Sequence, residues 1–374
     1  MLRDRCRKKV EELLAGAGIT LNGPQPWDIR VHNDCFYSRV VAHGSLGLGE
    51  SYMEGWWDAP RLDECITRIL RARLDRQVAG LADLVEATRA RLCNLQDRCR
   101  AFEVGRRHYD IGNDLYQRML DKRLIYSCGF WKNAVDLDQA QEQKLEMIGR
   151  KLLLEPGMRL LDIGCGWGGT ARYLAEHYQV SVVGVTVSAE QAELAGESCR
   201  GLPVDIRLQD YREVNERFDR VLSVGMFEHV GYKNYRAFME KVRSCLIDDG
   251  LFLLHTIGGN RRRTHTDTWI HRYIFPNSML PSPAQVAAAF DDLFVLEDWH
   301  NFGIDYDRTL MAWHRNFEAA WPELSARYDE RFKRMWSYYL LACAGTFRAR
   351  GNQLWQLVLT PHGIPGGYLA PHHE

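Results

Sequence analysis

The chain has 374 residues, 46% of them hydrophobic and 26% charged, which is enough apolar material for a packed core and excludes bulk disorder. The length suits two domains. A formal net charge of -1 argues against a dedicated nucleic-acid binder, which carries a strong basic excess.

The start, Met1-Leu-Arg-Asp-Arg-Cys-Arg-Lys-Lys, is charged and leads into no apolar signal-like run. No apolar stretch approaches the ~20 residues of a spanning helix. The expectation is a cytoplasmic protein that meets any membrane from its surface. The 10 cysteines form no C-x-x-C pair and no Cys/His zinc spacing, so they read as reduced, mostly buried thiols and no metal is expected.

Residues 10–60 mix short apolar runs with turn signals (Asn22-Gly23-Pro24, and Gly44, Gly47, Gly49 and Gly55), which predicts a small α+β unit. From 61 to 100 the pattern turns helical, with Leu62, Ile66, Ile69, Leu74, Val78, Leu81 and Val85 on one face and arginines on much of the other. Asp136 and Gln139 read as a capping box, and Leu145, Ile148 and Leu152 form the stripe of the helix that follows. Glu155-Pro156-Gly157 ends that helix. Apolar strand candidates follow at 158–163, 180–187, 220–224 and 251–255, with helical stretches between them. This alternation predicts βαβ units and a mostly parallel sheet with helices on both faces. Aromatic helices are expected at 313–321 and 332–347, a late strand at 354–359, and a loose tail from His362.

The sharpest motif is Leu161-Asp162-Ile163-Gly164-Cys165-Gly166-Trp167-Gly168-Gly169, between a strand and a helix. Glycines allow a tight turn and close approach of a ligand, and the helix N-terminus favours a carboxylate. Asp162 can orient the loop or a bound ammonium. The spacing is neither GxxxxGK[ST] nor GxGxxG. It resembles the first motif of class I S-adenosylmethionine methyltransferases; a dinucleotide dehydrogenase is the rival reading. Both groups usually end the second strand in an acid that holds the ribose. Here that strand runs Gly184-Val185-Thr186-Val187-Ser188-Ala189-Glu190-Gln191, with Thr186 and Gln191 as the available hydrogen-bonding groups.

Eight blocks in order resemble the cyclopropane-fatty-acid synthases, a family that includes the mycolic acid cyclopropane synthases. They are His108-Tyr109-Asp110 to Asp114, Tyr126-Ser127-Cys128 to Trp131, the glycine loop, 184–191, Gln209-Asp210-Tyr211-Arg212, Gly225 to Gly231 around Glu228, Leu253-Leu254-His255-Thr256-Ile257, and Asn301 to Tyr306. Gly44 to Asp58 resembles the phospholipid-acting branch. The resemblance implies a Rossmann-like class I methyltransferase domain at 107–374, a helical linker at 86–106 and a small α+β lipid-associated domain at 1–85. It implies methylene transfer from S-adenosylmethionine to the cis double bond of acyl chains in phospholipid at a bilayer surface, and a homodimer. Bound bicarbonate acts as base on this reading, held by Cys128 and Ile257 through backbone and by Glu228, His255 and Tyr306 through side chains. The methyl donor's methionine end falls to Tyr126 and Ser127, its turn to Gly164 and Gly166, its ribose to Thr186 and Gln191, and its adenine to Asp210 and Tyr211. Tyr109, Trp131 and Phe275 are the aromatic candidates for stabilising a cation in the acyl pocket. Arg261, Arg262 and Arg263 read either as a contact for anionic headgroups or as a solvated loop.

Overall fold

A computed structural model describes residues 2–76 and 112–373. The linker at 86–106, Tyr109 with its block up to Ile111, and Val78, Leu81 and Val85 of the helical stripe lie outside the described residues. The N-terminal part forms helices α1 (Leu2–Ala15), α2 (Cys35–Met53) and α3 (Leu62–Arg71), with a short antiparallel ladder of β1 (Arg30–Val31) and β2 (Trp57–Asp58). Next come α4 (Asn113–Met119), α5 (Leu137–Lys151), β3 (Arg159–Ile163), α6 (Gly169–Tyr178), β4 (Ser181–Thr186), α7 (Ala189–Ser198) and β5 (Val204–Leu208). The chain continues through β6 (Phe218–Val224), α8 (Tyr235–Cys245), β7 (Leu246–Gly259), α9 (Thr268–Tyr273), α10 (Pro283–Phe290) and β8 (Val295–Asn301). It closes with α11 (Ile304–Leu324), α12 (Glu330–Arg348) and β9 (Asn352–Thr360).

These elements form two compact units, neither of them a continuous segment. One comprises residues 1–94, 264–276 and 306–352; the other comprises 95–263, 277–305 and 353–374. The N-terminal helices are thus accompanied by two segments from much later in the sequence.

In the first unit, α12 packs on α2 and α3. Gly345 allows the contact with α3, since a Cβ there would sit 2.5 Å from the Asp63 carbonyl oxygen. The buried Asp63 carboxylate accepts from Arg61 (Nε 2.9 Å, Nη2 2.8 Å) and from Arg348, which also grips Asp307 through two hydrogen bonds. Burial alone pushes Asp63 up, but the two guanidinium groups outweigh it and hold the acid down at about 2. Its stabilising effect is therefore present above the unfolded carboxyl range and is lost as pH falls from about 4 through 2. Asp63→Asn is expected to cost about 2 kcal/mol at neutral pH. Thermal melts should show the gap to wild type closing as the pH approaches that of the folded acid.

The second unit holds a seven-stranded sheet in the order β5-β4-β3-β6-β7-β9-β8. The pairs β3/β4, β4/β5, β3/β6 and β6/β7 are parallel, and β8/β9 is antiparallel. Alternate strand residues feed two cores, as the pleat requires. Leu161, Val221, Phe252 and Leu254 join Phe238, Val242 and Val286 from α8 and α10 on one face. Leu160, Leu222, Leu251 and Leu253 join Leu145, Ile148 and Leu174 from α5 and α6 on the other. The chain leaves β3 toward β4 and β5 on one side, then returns to lay β6 and β7 on the other. That reversal opens a crevice at the carboxyl ends of β3 and β6, where open α/β sheets bind ligands.

Three local expectations change. Asp136 accepts from the Gln139 N–H at 2.9 Å, but the Gln139 side chain accepts from the Val135 N–H at 3.3 Å, so the reciprocal bond lies one residue before the cap. The strands β5 and β8 went unread because they lie at the sheet edges and have no fully buried residue. The tail is docked rather than loose. Tyr368 Oη donates to the Lys151 carbonyl at 2.9 Å, the Ile364 N–H donates to Glu297 at 2.8 Å, and the His372 ring stacks on His300 at 3.8 Å.

Candidate active site

β3 closes in a turn that only glycine adopts easily: φ is +85° at Gly164, +55° at Gly166 and +80° at Gly168. A Cβ on Gly164 would lie 2.9 Å from Met226 Cβ, and one on Gly169, where α6 begins, would run into the Arg123 carbonyl. Asp162, one residue before the end of β3, is buried, and its Oδ2 has no hydrogen-bond partner among the described residues. Burial pushes its carboxyl up to about 7, with the Lys144 ammonium pulling the other way. A buried acceptor with spare capacity suits a ligand ammonium.

Tyr126 and Ser127 run past this turn and are fixed from behind by α5. Gln141 Nε2 donates to the Ser127 carbonyl at 2.8 Å, and Lys144 Nζ donates to Ser127 Oγ at 2.8 Å. The Tyr126 ring meets Tyr116 edge-on at 5.2 Å, and Tyr116 packs at 4.8 Å on Trp167 of the glycine loop. At the end of β4, the Thr186 hydroxyl donates to Gln191 Oε1 at 3.0 Å and accepts from the Ser188 N–H at 3.2 Å. The pair is therefore pre-assembled, and the donors left to Gln191 are those of its amide nitrogen. The Asp210 carboxylate is paired with Arg212 at 2.9 Å, and Tyr211 meets Phe238 edge-on at 5.3 Å.

A second constellation lies where β6 ends beside β7. Val224 pairs with His255, and Glu228 follows on a short 3-10 turn, Phe227–His229. Glu228 Oε1 accepts from the Ile257 N–H at 2.6 Å, while Oε2 is buried with no hydrogen-bond partner among the described residues. Burial raises this acid to about 7. Gln356 Nε2 donates to His255 Nδ1 at 3.2 Å, which places the imidazole proton on Nε2, and Nε2 has no partner among the described residues. Burial, followed by the charges of Lys144, Lys151 and His300, drives the His255 pKa well below its ordinary value, so the ring is a neutral donor. An unmatched acceptor on the turn after β6 and an unmatched donor on β7 fit a small oxyanion that carries one hydroxyl. The Ile257 N–H is already used by Glu228, and the Ile257 carbonyl accepts from the Thr256 hydroxyl at 3.2 Å.

Cys128 is fully buried and donates to the Gly129 carbonyl at 3.1 Å. The Trp131 N–H donates to Asp305 at 2.9 Å, and Phe302 bridges Phe130 (5.6 Å) and His255 (5.7 Å), so the 128–131 stretch, β7 and the 302–305 turn pack together. Tyr306 and Phe275 belong to the other unit. There Tyr306 packs on Phe347 at 4.6 Å, and Phe275 meets Tyr339 edge-on at 5.8 Å. Gln141, Lys144 and Gln356 were not singled out in the sequence, and Asp305 stood in the 301–306 block without a role of its own. Their signal was a polar residue on an otherwise apolar helix stripe or strand.

Sheet order, a left-handed glycine turn after the first strand and a Thr–Gln pair after the second define a class I S-adenosylmethionine-dependent methyltransferase. Residues 96–357 match the mycolic acid cyclopropane synthetase family. The chain is 56% identical over 365 residues to the cyclopropane-fatty-acyl-phospholipid synthase of Escherichia coli (strain K12), covering 97% of this chain and 95% of that protein. It superposes on the cyclopropane synthase MmaA2 from Mycobacterium tuberculosis with a TM-score of 0.65 at 32% identity, covering 69% of this chain and 97% of that one. The mycolic acid cyclopropane synthase CmaA1 in complex with SAH and CTAB gives 0.65 at 31% identity, covering 69% and 97%. The chain belongs to the mycolic acid cyclopropane synthetase family.

Proposed function

We propose that this enzyme transfers a methylene group from S-adenosylmethionine to the cis double bond of acyl chains in membrane phospholipid, with bicarbonate bound by Glu228 and His255 as base. The observation that carries the reading is a pair of buried groups without partners among the described residues: Glu228 Oε2 on the turn after β6, and His255 Nε2–H on β7 beside the end of β6. The similarity to the Escherichia coli phospholipid-acting enzyme covers 97% of this chain, too much to leave out the lipid-associated domain expected at 1–85, which supports phospholipid as the acceptor.

When bound, the methyl donor presents a sulfonium methyl to the alkene, whose π pair forms the new C–C bond as S-adenosylhomocysteine leaves. Bicarbonate, when bound, supplies the acceptor for the proton lost as the ring closes. Glu228 Oε2 accepts from the anion's hydroxyl, and His255 Nε2–H donates to its oxyanion. Gln356 fixes the tautomer that makes this possible. Backbone groups of Cys128 and Ile257 and the Tyr306 hydroxyl complete the expected holder. Asp162 accepts from the donor's ammonium, Ser127 and Tyr126 meet its carboxylate end, Gly164 and Gly166 give it backbone clearance, Thr186 and Gln191 take the ribose, and Asp210 and Tyr211 flank the adenine. Trp131 offers an aromatic face for the cationic stage, for which the family resemblance also names Tyr109 and Phe275, and exclusion of water protects it.

No described helix is long and apolar enough to cross a membrane. Arg261, Arg262 and Arg263 are exposed just beyond the end of β7 and are suited to anionic headgroups. Replacing all three by Ala is expected to weaken sedimentation with anionic vesicles by about a hundredfold, at about 1 kcal/mol per arginine. Unchanged binding at low salt removes this contact. A peripheral location and a homodimer complete the expectation. The direct test is incubation with unsaturated phospholipid vesicles and methyl-labelled S-adenosylmethionine. Acyl chains should gain one labelled CH2 and lose the alkene; label in any other acceptor, or a saturated methyl branch, overturns the proposal.

A further inference from the structure

Lys144 is a fully buried cation in the middle of α5. Its neighbours on the helix stripe, Leu145 and Ile148, show what an ordinary core position here holds. The charged and titratable groups it feels are Asp121, which accepts the backbone N–H groups of Arg123 and Ile125, Cys128 and Asp162. It also acts on His255. It therefore lies within electrostatic reach of both halves of the site. Its hydrogen bond is to Ser127 Oγ, at 2.8 Å.

An ammonium can only donate, so Ser127 Oγ must accept, and the hydroxyl hydrogen of Ser127 is then left for an acceptor elsewhere. Gln141, one turn earlier on the same helix, fixes the Ser127 backbone through its carbonyl, so that hydroxyl has a defined position. Resting on the methyl-donor assignment above, we propose that Lys144 is a positioning residue that selects the aminocarboxylate end of the donor. It polarises Ser127 toward the ligand carboxylate, and its charge favours the ionised form of Asp162 that receives the ligand ammonium. The result is an alternating array of Lys144, Ser127 and ligand carboxylate beside ligand ammonium and Asp162. Lys144 itself touches no ligand atom in this scheme. Burial depresses the lysine to about 8, so the charge is held against a desolvation cost, as a site-directed charge would be.

The test compares two ligands that share adenine, ribose and sulfur. S-adenosylhomocysteine carries the aminocarboxylate; 5′-methylthioadenosine lacks it. With Lys144→Met, calorimetry should show the Kd for S-adenosylhomocysteine rising about tenfold or more, the loss of one charge-assisted contact. The Kd for methylthioadenosine should stay near the wild-type value. Parallel weakening of both ligands, or no change in either, overturns the proposal. Ser127→Ala is the second variant should Lys144→Met fold poorly. It should lose the same discrimination between the two ligands, and the double variant should fall short of the sum of the two single losses. Full additivity contradicts the relay. Wild-type protein that binds neither ligand would instead overturn the methyl-donor site itself.

Discussion

Glu228→Gln is expected to lower turnover by about a hundred- to ten-thousandfold, the range of a lost general-base function, while S-adenosylhomocysteine affinity stays near the wild-type value. The amide keeps the acceptor that takes the Ile257 N–H at 2.6 Å, so β7 and the 3-10 turn stay joined. What changes is the second atom. An amide NH2 stands where Oε2 was, and two donors then face each other when a bicarbonate hydroxyl arrives. Stability should move the other way. The folded acid sits at about 7, above its ordinary 4.5. The fold therefore carries a penalty that is absent below the ordinary value and complete above about pH 7. Gln removes that penalty, so the variant should melt at or above the wild-type temperature near about pH 8, with the gap shrinking in acid. Initial rates, calorimetry and melting curves on one preparation separate these effects. Full activity in the variant would take Glu228 out of the anion site.

The second large effect concerns Asp162. Asp162→Asn is expected to weaken S-adenosylhomocysteine by about ten- to a hundredfold, the worth of a charge-assisted hydrogen bond in a buried site. The pH dependence makes the prediction specific. The free protein holds this carboxyl at about 7, because burial opposes its ionisation more than Lys144 favours it. A bound ammonium favours the ionised form, so binding releases a proton at lower pH. Wild-type affinity should therefore fall as pH drops below about 7, by up to about tenfold per unit. The Asn variant should show a flat profile over the same range. A sloping profile in the variant would assign the dependence to another group.

The sequence carried the centre of the fold more clearly than its margins. The strand 159–163 and its glycines were legible because a short buried strand followed by obligatory positive φ leaves few alternatives. The α5 stripe was legible because Leu145 and Ile148 fall on one helical face. The edge strands β5 and β8 were not, since neither has a fully buried residue and each lacks the apolar run of a central strand. The return of residues 264–276 and 306–352 to the N-terminal unit has no local signature, because it depends on contacts such as Arg348 with Asp63, far apart in sequence. The same holds for the support residues of the site. Gln356 matters only because β9 carries it to His255, and Lys144 only because α5 crosses behind Ser127. Motif residues announce chemistry by type and spacing; the residues that aim them are fixed by tertiary neighbours.

The central claim is that Glu228 and His255 hold bicarbonate as the base for ring closure. It is tested most directly by the rate of cyclopropane formation on unsaturated phospholipid vesicles in buffer freed of carbon dioxide, before and after bicarbonate is restored. The account predicts a slow rate in depleted buffer, recovery that saturates with added bicarbonate, and no recovery in Glu228→Gln. An undiminished rate in depleted buffer, with wild-type protein shown to be free of retained bicarbonate, would contradict it.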